Sequence, residues 1–129
     1  MRAARRLTRG VAPQLSMTLD ANDPQLLAEF WCVALGYKVD WSVPAFVGTS
    51  PAAGDGPVLL FQRVPEGKTA KNRLHLDLHA DDFEAQADRL VEAGAARVSP
   101  GVEEFGPARW IVMHDPEGNE FCLCNPMQF

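Results

Sequence analysis

Two stretches of the chain lie over one another at a near-constant spacing, and this repeat constrains the fold more than any other feature. The first is SMTLDANDPQLLAEFWCVALGY, residues 16–37, and the second is HLDLHADDFEAQADRLVEAGA, residues 75–95. Ser16 falls opposite His75, Asp20 opposite His79, Asp23 opposite Asp82 and Gly36 opposite Gly94, an offset of about 59 residues. Each copy opens with a short alternating strand and runs into a helix with legible ends. In the first, Asp23 caps the N-terminus and Pro24 takes the first helical position. Leu26, Leu27, Phe30, Trp31 and Ala34 then recur at helical spacing as one apolar face, and Gly36 supplies the left-handed residue that ends it. In the second, Asp81 or Asp82 caps, Phe83, Ala87, Leu90 and Val91 make the stripe, and Gly94 stops it. Glu84, Asp88, Arg89 and Glu92 read as its solvated outer face.

After each helix come runs that read as strands separated by turn residues. They are YKVDW, AFVGTS and VLLFQRV in the first half, and ARVSP, RWIVMHD and EFCLC in the second. SPAAGDGP and SPGVEEFGP are the connectors at corresponding places. Each half is therefore β-α-β-β-β, and neither can bury its helix and sheet alone, so the two are expected to pair. The fold class is α+β. The expected division is a disordered basic arm over residues 1–13 and a single domain over 14–129. Within that domain, module one covers 14–64, the polar linker 65–72 and module two 73–126.

Charge and cysteine usage narrow the function. Of 12 basic residues, Arg2, Arg5, Arg6 and Arg9 fall in the first ten positions, leaving 8 basic against 17 acidic residues in the remainder. That balance argues against a nucleic-acid surface on the folded body. The basic decapeptide lacks the apolar run of a secretory signal, and no stretch approaches the ~18 apolar residues that span a bilayer. Three cysteines, an odd number without framework spacing, indicate reduced thiols and a cytoplasmic protein.

Three stretches, DPQLLAEFWCVALGY, NRLHLDLHADDFEA and WIVMHDPEGNEFCLC, together with the repeat, resemble the glyoxalase-like (glyoxalase and bleomycin-resistance) branch of the vicinal oxygen chelate superfamily. The most specific element is Asp-Pro-x-Gly-Asn before the last strand. The resemblance covers about residues 15 to 125. It implies paired βαβββ modules forming a cup-shaped mixed sheet with helices packed outside, and homodimerisation. In the metal-dependent members, ligands on the first and last strands of each module hold a divalent ion that binds two adjacent substrate oxygens.

Carried over residue by residue, the resemblance places His75 at the first-strand position of module two and Ser16 at that of module one. Gln62 falls on the last strand of module one, and Cys122, four residues after Gly118, stands where a carboxylate is expected. Serine is a poor ligand for a borderline divalent metal. A possible divalent metal at His75 is therefore left with an incomplete set, Ser16 and Cys122 holding other expected positions. Glu120 shares a face with Cys122 and Cys124 by alternation. The C-x-C spacing of those two cysteines supports neither a structural zinc nor a thioredoxin-type motif. Cys122 as a nucleophile would need His75 beside it as base. His79 and His114 read as hydrogen-bonding residues at loop ends.

Trp41 and Trp110 on strands, and Phe46 and Phe105 on neighbouring loops, suit a cup for a small hydrophobic or planar molecule, with helix-to-sheet packing as the alternative for the tryptophans. The expected function is a glyoxalase-like small-molecule-binding protein without a complete metal site. The alternative is a metal-dependent lyase, isomerase or dioxygenase of the same superfamily. The ligand-cup residues are Gln62, His75, Cys122, Trp41 and Trp110.

Overall fold

A computed structural model describes residues 12–126; nearly all of the basic arm lies outside the described residues. The first half runs β1 (Ser16–Ala21), α1 (Pro24–Leu35), β2 (Tyr37–Val43), β3 (Phe46–Pro51) and β4 (Val58–Arg63). The second runs β5 (Leu76–His79), α2 (Phe83–Glu92), β6 (Ala96–Arg97), β7 (Glu103–Phe105), β8 (Ala108–His114) and β9 (Glu120–Cys124). The expected α+β architecture is present, as two mixed sheets ordered β1-β4-β3-β2 and β5-β9-β8-β6, with β7 pairing β8. In both, the first and last strands of the module lie side by side and parallel. This places the residues of first and last strands shoulder to shoulder in each module.

Helix α1 forms where its signals stand. The Asp23 carboxylate accepts the Leu26 amide at 3.1 Å, Pro24 sits in the first turn, and Gly36 adopts φ 69° as the left-handed cap. Its buried face carries Leu27, Ala28, Phe30 and Trp31. Trp31 and Phe30 both pack on Phe121 of β9, with ring centroids 5.1 Å and 5.9 Å away. One aromatic cluster thus spans both modules, and losing any of its rings would cost about 3–5 kcal/mol. Alternation does the rest: Leu59 and Phe61 on β4, and Phe121 and Leu123 on β9, point into this core.

Three expectations are corrected. The connector SPGVEEFGP contains the short strand β7, so module two has one strand more than module one. Phe46 lies on β3 and Phe105 on β7, not on loops. Gly94, by contrast, stops α2 as expected: it turns at φ 122° directly after the Ala93 cap, and the Ala95 amide bonds back to the Leu90 carbonyl at 2.9 Å. Arg89 is not merely solvated: its guanidinium donates to the carbonyls of Val33 and Ala34 at 2.8 and 3.3 Å. There it satisfies orphan acceptors at the C-terminal end of α1 and complements that helix's negative pole.

Candidate functional site

The turn HDPEGN sets the position of β9. The buried Asp115 carboxylate accepts the amides of Glu117 and Asn119 at 2.9 and 3.0 Å, and the Asn119 side-chain amide at 2.9 Å. Gly118 turns at φ 87°, where only glycine is unstrained. The strand that leaves this turn buries Phe121 and Leu123 and presents Glu120, Cys122 and Cys124 on the opposite face. Parallel pairing sets Asp77 of β5 opposite Cys122 and His79 opposite Cys124. On the other side, β8 sets Val112 opposite Cys122 and Trp110 opposite Cys124. These three strands floor a cleft of about 570 Å³ whose lining includes His75, Asp77, His79, Trp110, Cys122 and Cys124.

One side of the cleft is polar and the other apolar. His75, just ahead of β5, places Nε2 3.2 Å from Asp77 Oδ1, and Nδ1 of His79 lies 2.8 Å from the Asn125 carbonyl. Trp110, Val112 and Ala108 form the apolar wall. Burial pushes the Cys122 thiol up to about 12, and the Asp77 charge pushes in the same direction. Cys124 rises to about 11 for the same two reasons. Both shifts disfavour a free thiolate, although His75 lies within reach of Cys122 as the base a nucleophile would need.

Glu120 also lines this cleft, but its carboxylate is engaged by the linker. Burial opposes its ionisation, but hydrogen bonds from its own amide, the Lys68 ammonium and the Asn72 amide outweigh that and hold its carboxyl at about 2. The Lys68 and Asn72 contacts are both 3.2 Å long, so Glu120 clamps the linker onto β9.

Of the residues singled out in the sequence, His75, Cys122 and Trp110 come together in this cleft. Gln62, Trp41 and Ser16 do not; they belong to the first sheet, Gln62 opposite Asp20 and Phe46, and Trp41 opposite Gly48. The pairing Thr18–Leu60 in module one corresponds to Asp77–Cys122 in module two. Leu60, rather than Gln62, therefore occupies the place equivalent to Cys122. The four-position metal set implied by the resemblance does not fit this chain: two positions converge, and a leucine fills a third. Asp77 went unnoticed in the sequence, although His75, Asp77 and His79 at alternate positions were a legible signal that all three share one strand face.

The signature of the glyoxalase-like domain matches residues 16–124. The chain belongs to that family. The glyoxalase-like fold is also that of a glyoxalase/bleomycin resistance protein/dioxygenase family enzyme from Burkholderia phytofirmans PsJN. That structure has a TM-score of 0.72 at 19% identity and covers 89% of this chain and 100% of its own. A glyoxalase-related enzyme from Fulvimarina pelagi gives a TM-score of 0.68 at 18% identity, covering 89% of each chain. The fosfomycin resistance protein FosX from Mesorhizobium loti gives 0.68 at 14% identity, covering 94% of this chain and 95% of its own. At such identities the likeness is one of fold. No curated protein matches the glyoxalase-like chain.

Proposed function

We propose that this glyoxalase-like protein binds a small planar or apolar molecule in the cleft over its second sheet. The observation that carries this reading is the cleft itself: about 570 Å³, with an aromatic and aliphatic wall facing a short polar row. That volume and that lining are typical of small-molecule sites, where apolar area supplies affinity and a few polar groups fix orientation. Titration of intrinsic fluorescence with a panel of planar aromatic compounds tests it. Saturable binding is expected, weakened at least about tenfold by Trp110→Ala, since a lost aromatic contact costs more than about 1.4 kcal/mol. Trp41→Ala should leave it unchanged. A panel without a single saturating compound overturns the proposal.

A second reading, a metal-dependent lyase, isomerase or dioxygenase, is favoured by one observation. Donor atoms of His75, Asp77 and Cys122 lie within 4.8 Å of one another. Its test is metal analysis of protein purified without chelator, compared with His75→Ala; stoichiometric metal lost in that variant supports the enzyme. The exposed apolar residues Trp41, Val43, Phe46 and Val58 on the first sheet support pairing of two copies, which light scattering would read as a doubled mass. Free thiols at Cys32, Cys122 and Cys124 support a reducing, cytoplasmic setting. No described helix is long and apolar enough to cross a membrane.

A further inference from the structure

The polar row of the cleft extends one pleat beyond the positions at which the resemblance places ligands. His79 and Cys124 are register partners at the ends of β5 and β9. Donor atoms of Asp77, His79 and Cys124 lie within 4.8 Å of one another, a spacing that one ion can bridge with small side-chain adjustments.

A second observation bears on the imidazole. Nδ1 of His79 is 2.8 Å from the Asn125 carbonyl oxygen, and a contact to a carbonyl requires the proton on Nδ1. The lone pair is then fixed on Nε2. This is how metal-ligating histidines are held: one nitrogen donates to a backbone carbonyl while the other binds the ion.

We propose that Asp77, His79 and Cys124 form a site for one zinc ion, displaced by a pleat from the family's ligand positions. A thiolate, an imidazole and a carboxylate together are the ligand types of zinc, whereas magnesium and calcium ask for oxygen alone. Binding makes one Zn–S, one Zn–N and one Zn–O bond and breaks the Cys124 S–H bond. The proton leaves to solvent and nothing is oxidised. Carboxylate and thiolate together neutralise the ion, with Cys124 8% exposed on the cleft floor and Asp77 and His79 open to solvent above it. Three protein ligands leave a fourth position for water or a bound molecule, as in catalytic zinc sites. Trp110, the register partner of Cys124, lines the same cleft. His75, 3.2 Å from Asp77, becomes an outer partner that orients the carboxylate.

The test is titration of the metal-free full chain with zinc chloride alone, by calorimetry, and with cobalt chloride, by absorption. The expected result is one ion per chain and a thiolate-to-cobalt charge-transfer band that Cys124→Ser abolishes. His79→Gln and Cys124→Ser should each weaken zinc binding at least about a hundredfold, a direct ligand counting for more than an outer partner. His75→Ala and Cys122→Ser should each weaken it less than either. The near-isosteric serine variants, checked by circular dichroism, keep the comparison free of misfolding. Absence of stoichiometric zinc overturns the proposal, as does a larger loss in Cys122→Ser than in Cys124→Ser, which would return the ion to the family's position. Neither result touches the small-molecule reading, which the aromatic panel tests on metal-free protein.

Discussion

The indole Nε1 of Trp31 donates to Asp115 Oδ2 at 3.0 Å, a buried hydrogen bond between side chains 84 residues apart. It joins the helix of the first module to the turn that launches the last strand of the second. The same carboxylate organises that turn from within, so one residue sets both the local geometry of β9 and the docking of α1. Because β9 carries Cys122 and Cys124, the floor of the cleft is positioned from the other module.

Trp31→Phe removes the donor while keeping most of the ring. It should cost about 2 kcal/mol, the scale of a buried hydrogen bond to a charged acceptor. Asp115→Ala should cost more, at least about 3 kcal/mol, because it strands the amides of Glu117 and Asn119 as well as the indole. Urea unfolding of both variants gives the order directly. Equal midpoints would mean that the turn holds without its carboxylate.

Glu117, from the same turn, accepts the amides of Asn22 and Asp23 at 2.6 and 2.9 Å. These are amides at the N-terminal end of α1, where a negative charge also meets the positive pole of the helix. Glu117→Ala is expected to lose about 1 kcal/mol. Amide exchange should quicken in residues 22–26 while the β9 amides keep their protection. Uniform acceleration across both regions would show instead that the contact serves global stability alone.

What the sequence made legible were features whose cause lies within a few residues. Asp23, Pro24 and Gly36 mark α1 because caps and left-handed turns are local chemistry, and HDPEGN marks a turn for the same reason. What escaped depends on partners distant in the chain. Arg89 looked like a surface charge because the carbonyls it serves lie more than 50 residues away. The pairing of β1 with β4 carries no local mark, so the last-strand position of module one was placed at Gln62 when the register puts Leu60 there. Strand β7 was hidden because Glu103, Glu104 and Phe105, flanked by Gly and Pro, lack the apolar alternation of a half-buried strand. In the candidate site, His75 and Cys122 were found by resemblance. Asp77 becomes conspicuous only once β5 and β9 lie side by side.

The linker clamp gives a pH signature. Glu120 is held at about 2 against an ordinary 4.5, so its folded pKa is depressed. Such a group stabilises fully above the unfolded value and loses that contribution as the pH falls through the folded one. Wild type should therefore exceed Glu120→Gln by about 2 kcal/mol near neutral pH, given hydrogen bonds to a charged acceptor. The difference should shrink below about pH 4.5 and vanish only below about pH 2. Urea denaturation of both proteins at stepped pH measures it. A gap unchanged into acid would assign the effect to packing of the linker rather than to the charge.

Trp41 lies over Gly48, its register partner on β3, closely enough that a Cβ at Gly48 would overlap the indole. Trp41 is 48% exposed, so its indole has solvent on its outer side into which a Cβ at position 48 would push it. Two effects of Gly48→Ala then oppose each other. Overpacking costs about 1 kcal/mol or more, while replacing a strand glycine restores roughly 0.5–1 kcal/mol through the unfolded chain. Net stability should barely change, so the informative measurement is the ring itself. The emission of Trp41, isolated by difference against Trp41→Phe, is expected to move to longer wavelength as the indole enters water. Binding of planar compounds should persist in Gly48→Ala, because Trp41 belongs to the first sheet and the cleft to the second. Loss of that binding would mean that the two sheets share one site, and that Trp41 closes it.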